Sequence, residues 1–285
     1  MIFIADAGSS KTQWSLVSKE DIISTKTGGI NPVLMTEQHI SELIQSNPVL
    51  TNNKEKIQTG FFYGAGCANT YQQEKIKNAL NIFFTNTNIH VYSDLYGAAR
   101  SLFHNSPGII CILGTGSACG KYDGKHIIQQ SPSLGFILGD EGSGAYMGKD
   151  LLKRFFYGEL PKPLETQFIQ KYKPEKKEVL SRIHKGNTPS QYLAHFCYFL
   201  KDNKQHPYIR ETLEVNLKKF IETHIIRLKP EFNEKIRITG SVAWFFRDIL
   251  SNIIKGYGLT IDNIIQAPIE GLIEYHKKEI RETNS

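Results

Sequence analysis

No cysteine of this 285-residue chain stands in a CxxC pair, and no histidine lies at zinc-finger spacing from one. The four cysteines, Cys67, Cys111, Cys119 and Cys197, are scattered. That pattern excludes a zinc finger and a disulfide framework. Cys111 sits in the apolar run "GIICILG", where a reduced, buried thiol is expected. A reducing compartment, the cytoplasm, is therefore the expected location. Long apolar runs are missing too, so no membrane span is expected. Asp6 interrupts the first apolar stretch, which has no basic flank, so a signal peptide is not expected either. Charge of one sign is only mildly in excess, at +6, with no clustered basic face. Nucleic acid is not an expected partner, and solvated lysines explain the excess. Finally, GxxxxGK[ST] is absent, so a P-loop is excluded.

What is present is an ordinary globular composition, 40% hydrophobic and 22% charged, long enough for two modest domains. "IFIAD" and "TQWSLVS" read as a hairpin joined by a Gly/Ser turn, and "DIISTKTG" as a third strand. "TEQHISELIQSN" and "YQQEKIKNALNIFFTN" carry helical spacing; "IQTGFFYGAGC" and "NIHVYSD" read as strands, and "LYGAARSLFHN" as a short helix. The pattern then restarts. "GIICILGTGSACGKYDGKHII" is strand, Gly-rich turn, strand and Asp-Gly turn. A glycine-rich loop opens a long helix, residues 160 to 230 are helix-rich and charged, and "KYKPEKKE" reads as a solvated face. "EKIRITGSVAWFF" is strand, turn, helix; a strand and a terminal helix, "IEGLIEYHKKEI", follow. The repeated plan predicts two similar α/β domains with a cleft between them.

Three small-residue turns carry the chemistry. In Gly8–Ser9–Ser10–Lys11–Thr12 the backbone N–H groups of a tight turn form an anion nest, and Ser10, Lys11 and Thr12 add donors for phosphate. Asp6, at the strand end before it, suits a hydrated magnesium ion. Taken alone, this turn is a weak signal, and a plain hairpin is the favoured explanation. A second turn, Gly114–Thr115–Gly116, repeats the context. A third, Gly240–Ser241, opens a helix whose N-terminus could face a nucleotide. Asp94 follows a strand and could take a proton from a substrate hydroxyl; Ser93 and Asp94 are also favoured helix-cap residues. In "GFILGDEGSGAYMGK", Asp140 and Glu141 read either as acids complementing a helix dipole or as ligand-binding groups on a glycine-rich loop.

The motifs "DAGSSKT", "SDLYGAARSLF", "GIICILGTGSACGKYDG", "PSLGFILGDEGSGAYMGK" and "RITGSVAWFF" together resemble the N-acetylglucosamine kinase group of the BadF/BadG/BcrA/BcrD-type ATPase family. The likeness runs to about residue 246; residues 158 to 235 add little. The resemblance implies a two-domain actin-like ATPase (ribonuclease H-like) α/β fold, with ATP and sugar in the interdomain cleft. It implies an N-terminal domain over 1–106, a C-terminal domain over 107–267 with a helical insertion at about 158–235, and a final helix, 268–285, packing back on the first domain.

The resemblance makes Asp94 the general base, Ser10 and Thr115 phosphate residues, and Gly240 with Ser241 the adenosine turn. Asn31, Ser117, Asp140 and the turn Ser133–Leu134–Gly135 match sugar contacts. The mammalian enzyme has an aromatic residue where this chain has Leu134, which leaves the sugar open. The cysteine cluster of zinc-containing glucokinases is missing, so zinc is not expected. ATP and Mg2+ are the implied cofactors, an amino sugar the partner, and a homodimer is compatible. Two other readings stay open. One is an ATP-driven dehydratase or reductase activator, whose iron–sulfur cluster is held by cysteines at a dimer interface, with Cys111 and Cys119 flanking the second turn here; the other is a sensor that binds sugar or nucleotide without turnover.

Overall fold

The first strand of the chain is buried on both faces, which is why "IFIADA" is almost continuously apolar. The computed structural model describes residues 1–231 and 233–283, with side chains described through residue 279. The chain divides into two units. Unit 1 holds Met1–Ser106, Asp123–His126 and the chain from Ala267 onward; unit 2 holds Pro107–Tyr122 and Ile127–Gln266.

In unit 1, β1 (Ile2–Ala7), β2 (Lys11–Val17) and β3 (Ile22–Gly28) form an antiparallel meander. β4 (Thr59–Gly64) lies parallel to β1, and β5 (Asn88–Ser93) parallel to β4, giving the order β3-β2-β1-β4-β5. Helices α1 (Glu37–Gln45), α2 (Pro48–Asn53), α3 (Thr70–Phe83) and α4 (Asp94–Phe103) complete this part. Alternation along β1 splits its side chains between two cores. Phe3, Ala5 and Ala7 pack with Trp14 and Phe62 and with Ile40, Ile44, Ile76 and Leu80 of the helices. Ile2 and Ile4 face the other way, with Val17 and Tyr63. Thr36 starts α1 by accepting the His39 N–H at 3.2 Å, and Ile40 and Ile44, one turn apart, are its buried stripe. β3 is the mostly exposed edge, where polar "STKT" discourages pairing with another chain.

Unit 2 follows the same strand plan. β6 (Gly108–Leu113), β7 (Ser117–Tyr122) and β8 (Ile127–Gln130) make the meander. β9 (Ile236–Thr239) and β10 (Ile261–Ile265) add in parallel, giving β10-β9-β6-β7-β8. Helices α5 (Gly135–Leu138) and α6 (Gly144–Phe156) follow the meander. The charged stretch forms α7 (Lys162–Tyr172), α8 (Lys176–Lys185), α9 (Pro189–His195), α10 (Cys197–Asp202) and α11 (Pro207–Phe220). The "PEKKE" piece leads into α8, of which only Val179 is buried, so it is a solvated face. α11 runs on into one π-helical turn, Ile221–Ile225. α12 (Ser241–Phe245) and α13 (Arg247–Lys255) lie between the last two strands. Phe168, Phe196, Phe199, Phe220 and Phe246 anchor this core.

The last helix, α14 (Ile269–Thr283), belongs to unit 1. Ile269 and Leu272 complete the core of Ile2, Ile4, Val17 and Tyr63. His276 stacks on Phe61, centroids 3.8 Å apart, and its Nε2 lies 2.8 Å from the Tyr63 hydroxyl. Arg100 donates to the same hydroxyl at 2.8 Å and lies over the rings of Tyr92 and Tyr96. Among the described residues, no helix is long and apolar enough to cross a membrane.

Candidate functional site

Two carboxylates stand at the C-terminal ends of the parallel strands of unit 1, the edge where open α/β sheets bind ligands. Asp6 lies one residue from the end of β1, and Asp94 is the first residue after β5. The placement of Asp94 follows from local chemistry. Ser93 caps α4 by accepting the Tyr96 N–H at 3.2 Å, so the chain turns at the strand end and Asp94 falls at the first helical position. Ser93 is therefore the cap, and Asp94 stands at the strand end. Asp94 Oδ1 accepts the Leu95 N–H at 2.8 Å. Burial raises the Asp94 carboxyl above the usual range, against the pull of that N–H and its own. Asp6 is pushed up to about 7, by burial first and by the Asp94 charge second, with Lys11 opposing.

The first turn closes with the Gly8 N–H donating to the Lys11 carbonyl at 3.0 Å. Gly29 packs directly on it: a Cβ there would run into the Ser9 carbonyl. This contact carries the end of β3 to the turn and fixes the start of the segment with Asn31. The Asn31 side-chain oxygen accepts the Val33 N–H at 2.9 Å, and a Cβ on Gly66, just past β4, would lie 2.6 Å from it. Unit 1 thus gathers Asp6, Gly8–Lys11, Asn31 and Asp94 around one end of its sheet. Thr12 stands apart. It shares the face of β2 with Trp14 and Leu16, is fully buried, and its hydroxyl has no hydrogen-bond partner. The cause is strand alternation, which turns Lys11 outward and Thr12 inward.

In unit 2 the second and third turns touch. Gly240, at φ 128°, ends β9, and a Cβ there would strike the Leu113 carbonyl. Only glycine accommodates both the backbone angle and the approach. Ser241 opens the five-residue helix α12. The turn Gly114–Thr115–Gly116 is clamped to the start of α6: the Gly144 N–H donates to the Gly114 carbonyl at 2.8 Å and the Ala145 N–H to the Thr115 carbonyl at 3.1 Å.

Asp140 and Glu141 do not complement the α6 dipole. Ser143 is the cap and no acid lies in the first turn; Asp140, which precedes the cap, adopts the left-handed conformation, φ 57°. Asp140 Oδ1 instead accepts the Ser117 N–H at 3.4 Å, beside the second turn. Ser133, Leu134 and Gly135 form the lead into α5, which was not expected. Leu134 is exposed, and Lys149 Nζ holds the helix by donating to the Phe136 carbonyl at 3.1 Å.

The sequence reading missed His224, which lies within reach of Ser117, Ser131 and Glu141. No local pattern could reveal it, since Ser117 is 107 positions away. All four cysteines are free and buried, and Cys111 pairs with Cys119 across β6 and β7. Buried thiols of this kind leave no exposed set for an iron–sulfur cluster.

Asp6 and Asp94 fit a divalent cation. They are two neighbouring carboxylates whose charged forms burial disfavours, with the Lys11 ammonium acting on Asp6. Among the described residues, no group of three or more His, Cys, Asp or Glu could hold a metal ion. Mg2+ commonly uses one or two carboxylates and fills its shell with water and substrate phosphate.

No protein-family model matches the chain, and no curated protein sequence does. Solved structures do. The putative N-acetylglucosamine kinase from Porphyromonas gingivalis is 33% identical, with a TM-score of 0.91 over 97% of this chain and 98% of that one. The putative N-acetylglucosamine kinase from Chromobacterium violaceum is 15% identical, with a TM-score of 0.62 over 96% of this chain and 99% of that one. A putative N-acetylmannosamine kinase from Listeria monocytogenes is 12% identical, with a TM-score of 0.51 over 98% and 99%. The last two speak to fold alone. The architecture is α/β, the actin-like ATPase fold of sugar kinases. At a third of residues identical over nearly both full lengths, this chain belongs to the family of the Porphyromonas gingivalis protein.

Proposed function

We propose that this protein is an ATP-dependent sugar kinase that transfers the γ-phosphoryl group to a hydroxyl of an N-acetylated amino sugar, N-acetylglucosamine to its 6-phosphate being the first choice. The observation that carries the reading is Asp94 at the end of β5 beside Asp6, in a chain of this family. Asp94 orients the sugar hydroxyl and accepts its proton at a carboxylate oxygen. The hydroxyl oxygen bonds to the γ-phosphorus, the bond to the β,γ-bridging oxygen breaks, and ADP leaves. Such catalysis rests on positioning and charge stabilisation. Burial raises the Asp94 carboxyl, which makes its carboxylate a stronger proton acceptor than an exposed one.

Gly8–Lys11 and Gly114–Gly116 are assigned to phosphate oxygens, and Gly240–Ser241 to adenosine. Thr12 serves the shape of the first turn from the buried side. Asn31, Ser117, Ser133–Gly135 and Asp140 are assigned to the sugar. Asp6 would hold Mg2+ through water, with Asp94 close by; the ion would neutralise charge on the phosphates. Four buried thiols support a reducing, cytoplasmic setting. The BadF/BadG-type branch is the placement that the motifs support.

A coupled ADP-release assay across N-acetylglucosamine, N-acetylmannosamine, N-acetylmuramic acid, glucosamine and glucose tests this. Sugar-dependent ADP release strongest on an N-acetylated sugar is expected. Release independent of every sugar, or none, overturns the kinase reading.

A further inference from the structure

We propose that His224 is a positioning residue that locks together the three separate segments of unit 2 carrying the sugar contacts. The proposal rests on the kinase reading and adds a residue to it. The imidazole is buried, with 2% of its surface exposed. Its Nε2 lies 3.2 Å from Ser117 Oγ and 3.3 Å from Glu141 Oε2; its Nδ1 lies 3.0 Å from Ser131 Oγ. Ser117 opens β7, Ser131 comes two residues before the Ser133–Leu134–Gly135 turn, and Glu141 is next to Asp140. One ring therefore touches each segment of unit 2 that holds an assigned sugar residue.

The hydrogen-bond logic sets the direction of each contact. A carboxylate oxygen only accepts, so Nε2 carries the proton toward Glu141. In the neutral ring, which burial favours at this site, Nδ1 then accepts, and the Ser131 hydroxyl, which also faces the Cys119 carbonyl at 3.2 Å, turns its one proton to Nδ1 at 3.0 Å. The Ser117 oxygen lies where it shares the Nε2 proton. It accepts there, so its own proton remains to be donated to an oxygen of a ligand. His224 thereby fixes not only where Ser117 sits but also that it acts as a donor.

The backbone around His224 fits a built feature. His224 lies in the π-helical turn Ile221–Ile225, a departure from regular helix that is concentrated at functional sites. The loop holding Asp140 and Glu141 is seated on the same stretch. A Cβ on Gly142 would lie 2.5 Å from the Phe220 Cβ and 3.1 Å from the Asn216 carbonyl oxygen.

Steady-state kinetics of the full chain test this with His224→Ala, His224→Gln and Ser131→Ala, each measured against sugar and against ATP. Loss of a buried hydrogen-bond hub raises the sugar KM roughly tenfold or more in His224→Ala, while kcat and the ATP KM stay within about twofold. Gln keeps a donor near the Nε2 position and is expected to restore part of the loss. Ser131→Ala, which deletes only the Nδ1 contact, is expected to move the sugar KM in the same direction, and it serves if His224→Ala does not fold. An unchanged sugar KM overturns the proposal. So does an equal worsening of kcat, the sugar KM and the ATP KM that Gln does not relieve, which marks a residue needed only for folding. A wild-type chain without sugar-dependent ADP release overturns the kinase reading and this proposal together; a working wild type with unmoved variants overturns this proposal alone.

Discussion

Replacing Asp94 with Asn removes one charge and one proton acceptor while leaving the local structure in place. The Leu95 N–H donates to Asp94 Oδ1 at 2.8 Å, and the Asn carboxamide oxygen can accept the same bond. The Ser93 cap, which starts α4, is untouched. A positioned general base contributes ~10²–10⁴-fold, or about 3–5 kcal/mol of barrier. Sugar-dependent ADP release at saturating ATP is therefore expected to fall by two to four decades. Nucleotide affinity, followed by fluorescence titration, is expected to hold. A second consequence runs through Asp6, which is held at about 7 by burial and then by the Asp94 charge. Without that charge the Asp6 midpoint moves down, toward the ordinary range, as carbon-detected NMR can follow. Near wild-type phosphorylation by the variant refutes Asp94 as the base. An unmoved Asp6 midpoint refutes the electrostatic coupling between the two carboxyls.

Asp6 itself predicts a pH dependence. Its folded-state midpoint of about 7 lies above the ordinary 3.8, so between those values the folded chain binds a proton that the unfolded chain releases. Stability then falls as pH rises from about 4 to about 7. Three pH units at about 1.4 kcal/mol each set a ceiling of about 4 kcal/mol. Urea melts of Asp6→Asn should lose most of that slope; identical slopes in variant and wild type count against the assignment. Gly29→Ala pushes a methyl into the Ser9 carbonyl and should weaken ATP binding more than it weakens the fold, as read by the ATP KM beside a thermal melt. Gly240→Ala meets both a forbidden φ and the Leu113 carbonyl and should cost at least ~2 kcal/mol in a denaturant melt. A thiol reagent should label none of the four buried cysteines before denaturation; fast labelling of the native protein contradicts their burial.

The legible parts of the fold were those written in adjacent residues. Alternation and Gly/Ser turns sufficed for the β1–β2 and β6–β7 hairpins, and a cap plus an apolar stripe sufficed for α1. Asp94 was legible because a strand, a cap and a helix follow one another without interruption. Where phase mattered, local reading failed. Thr12 belongs to the turn by sequence but to the Trp14 face by strand alternation. Asp140 and Glu141 precede a helix, yet Ser143 caps it, and the two acids meet the Ser117 N–H and His224 instead. α5 begins at a glycine of φ 69°, an unpropitious start that composition does not betray. His224 was invisible for another reason. Its partners come from β7, from the chain after β8 and from the Asp140 loop, and only the folded chain assembles them.

Helix α14 also has a consequence for how the protein is made. Tyr63 and His276 meet across 213 positions of chain, with all of unit 2 synthesised between them. At ~5–20 residues per second, roughly 10–40 s pass on the ribosome between the two ends of that bond. Throughout that interval Ile2, Ile4, Val17 and Tyr63 lack Ile269 and Leu272. A nascent chain therefore presents an uncovered apolar sheet face, a surface that chaperones bind. A message broken anywhere before the codon for Ile269 yields a product that can never cover it, and proteolytic quality control has a ready way to tell that product from the finished protein.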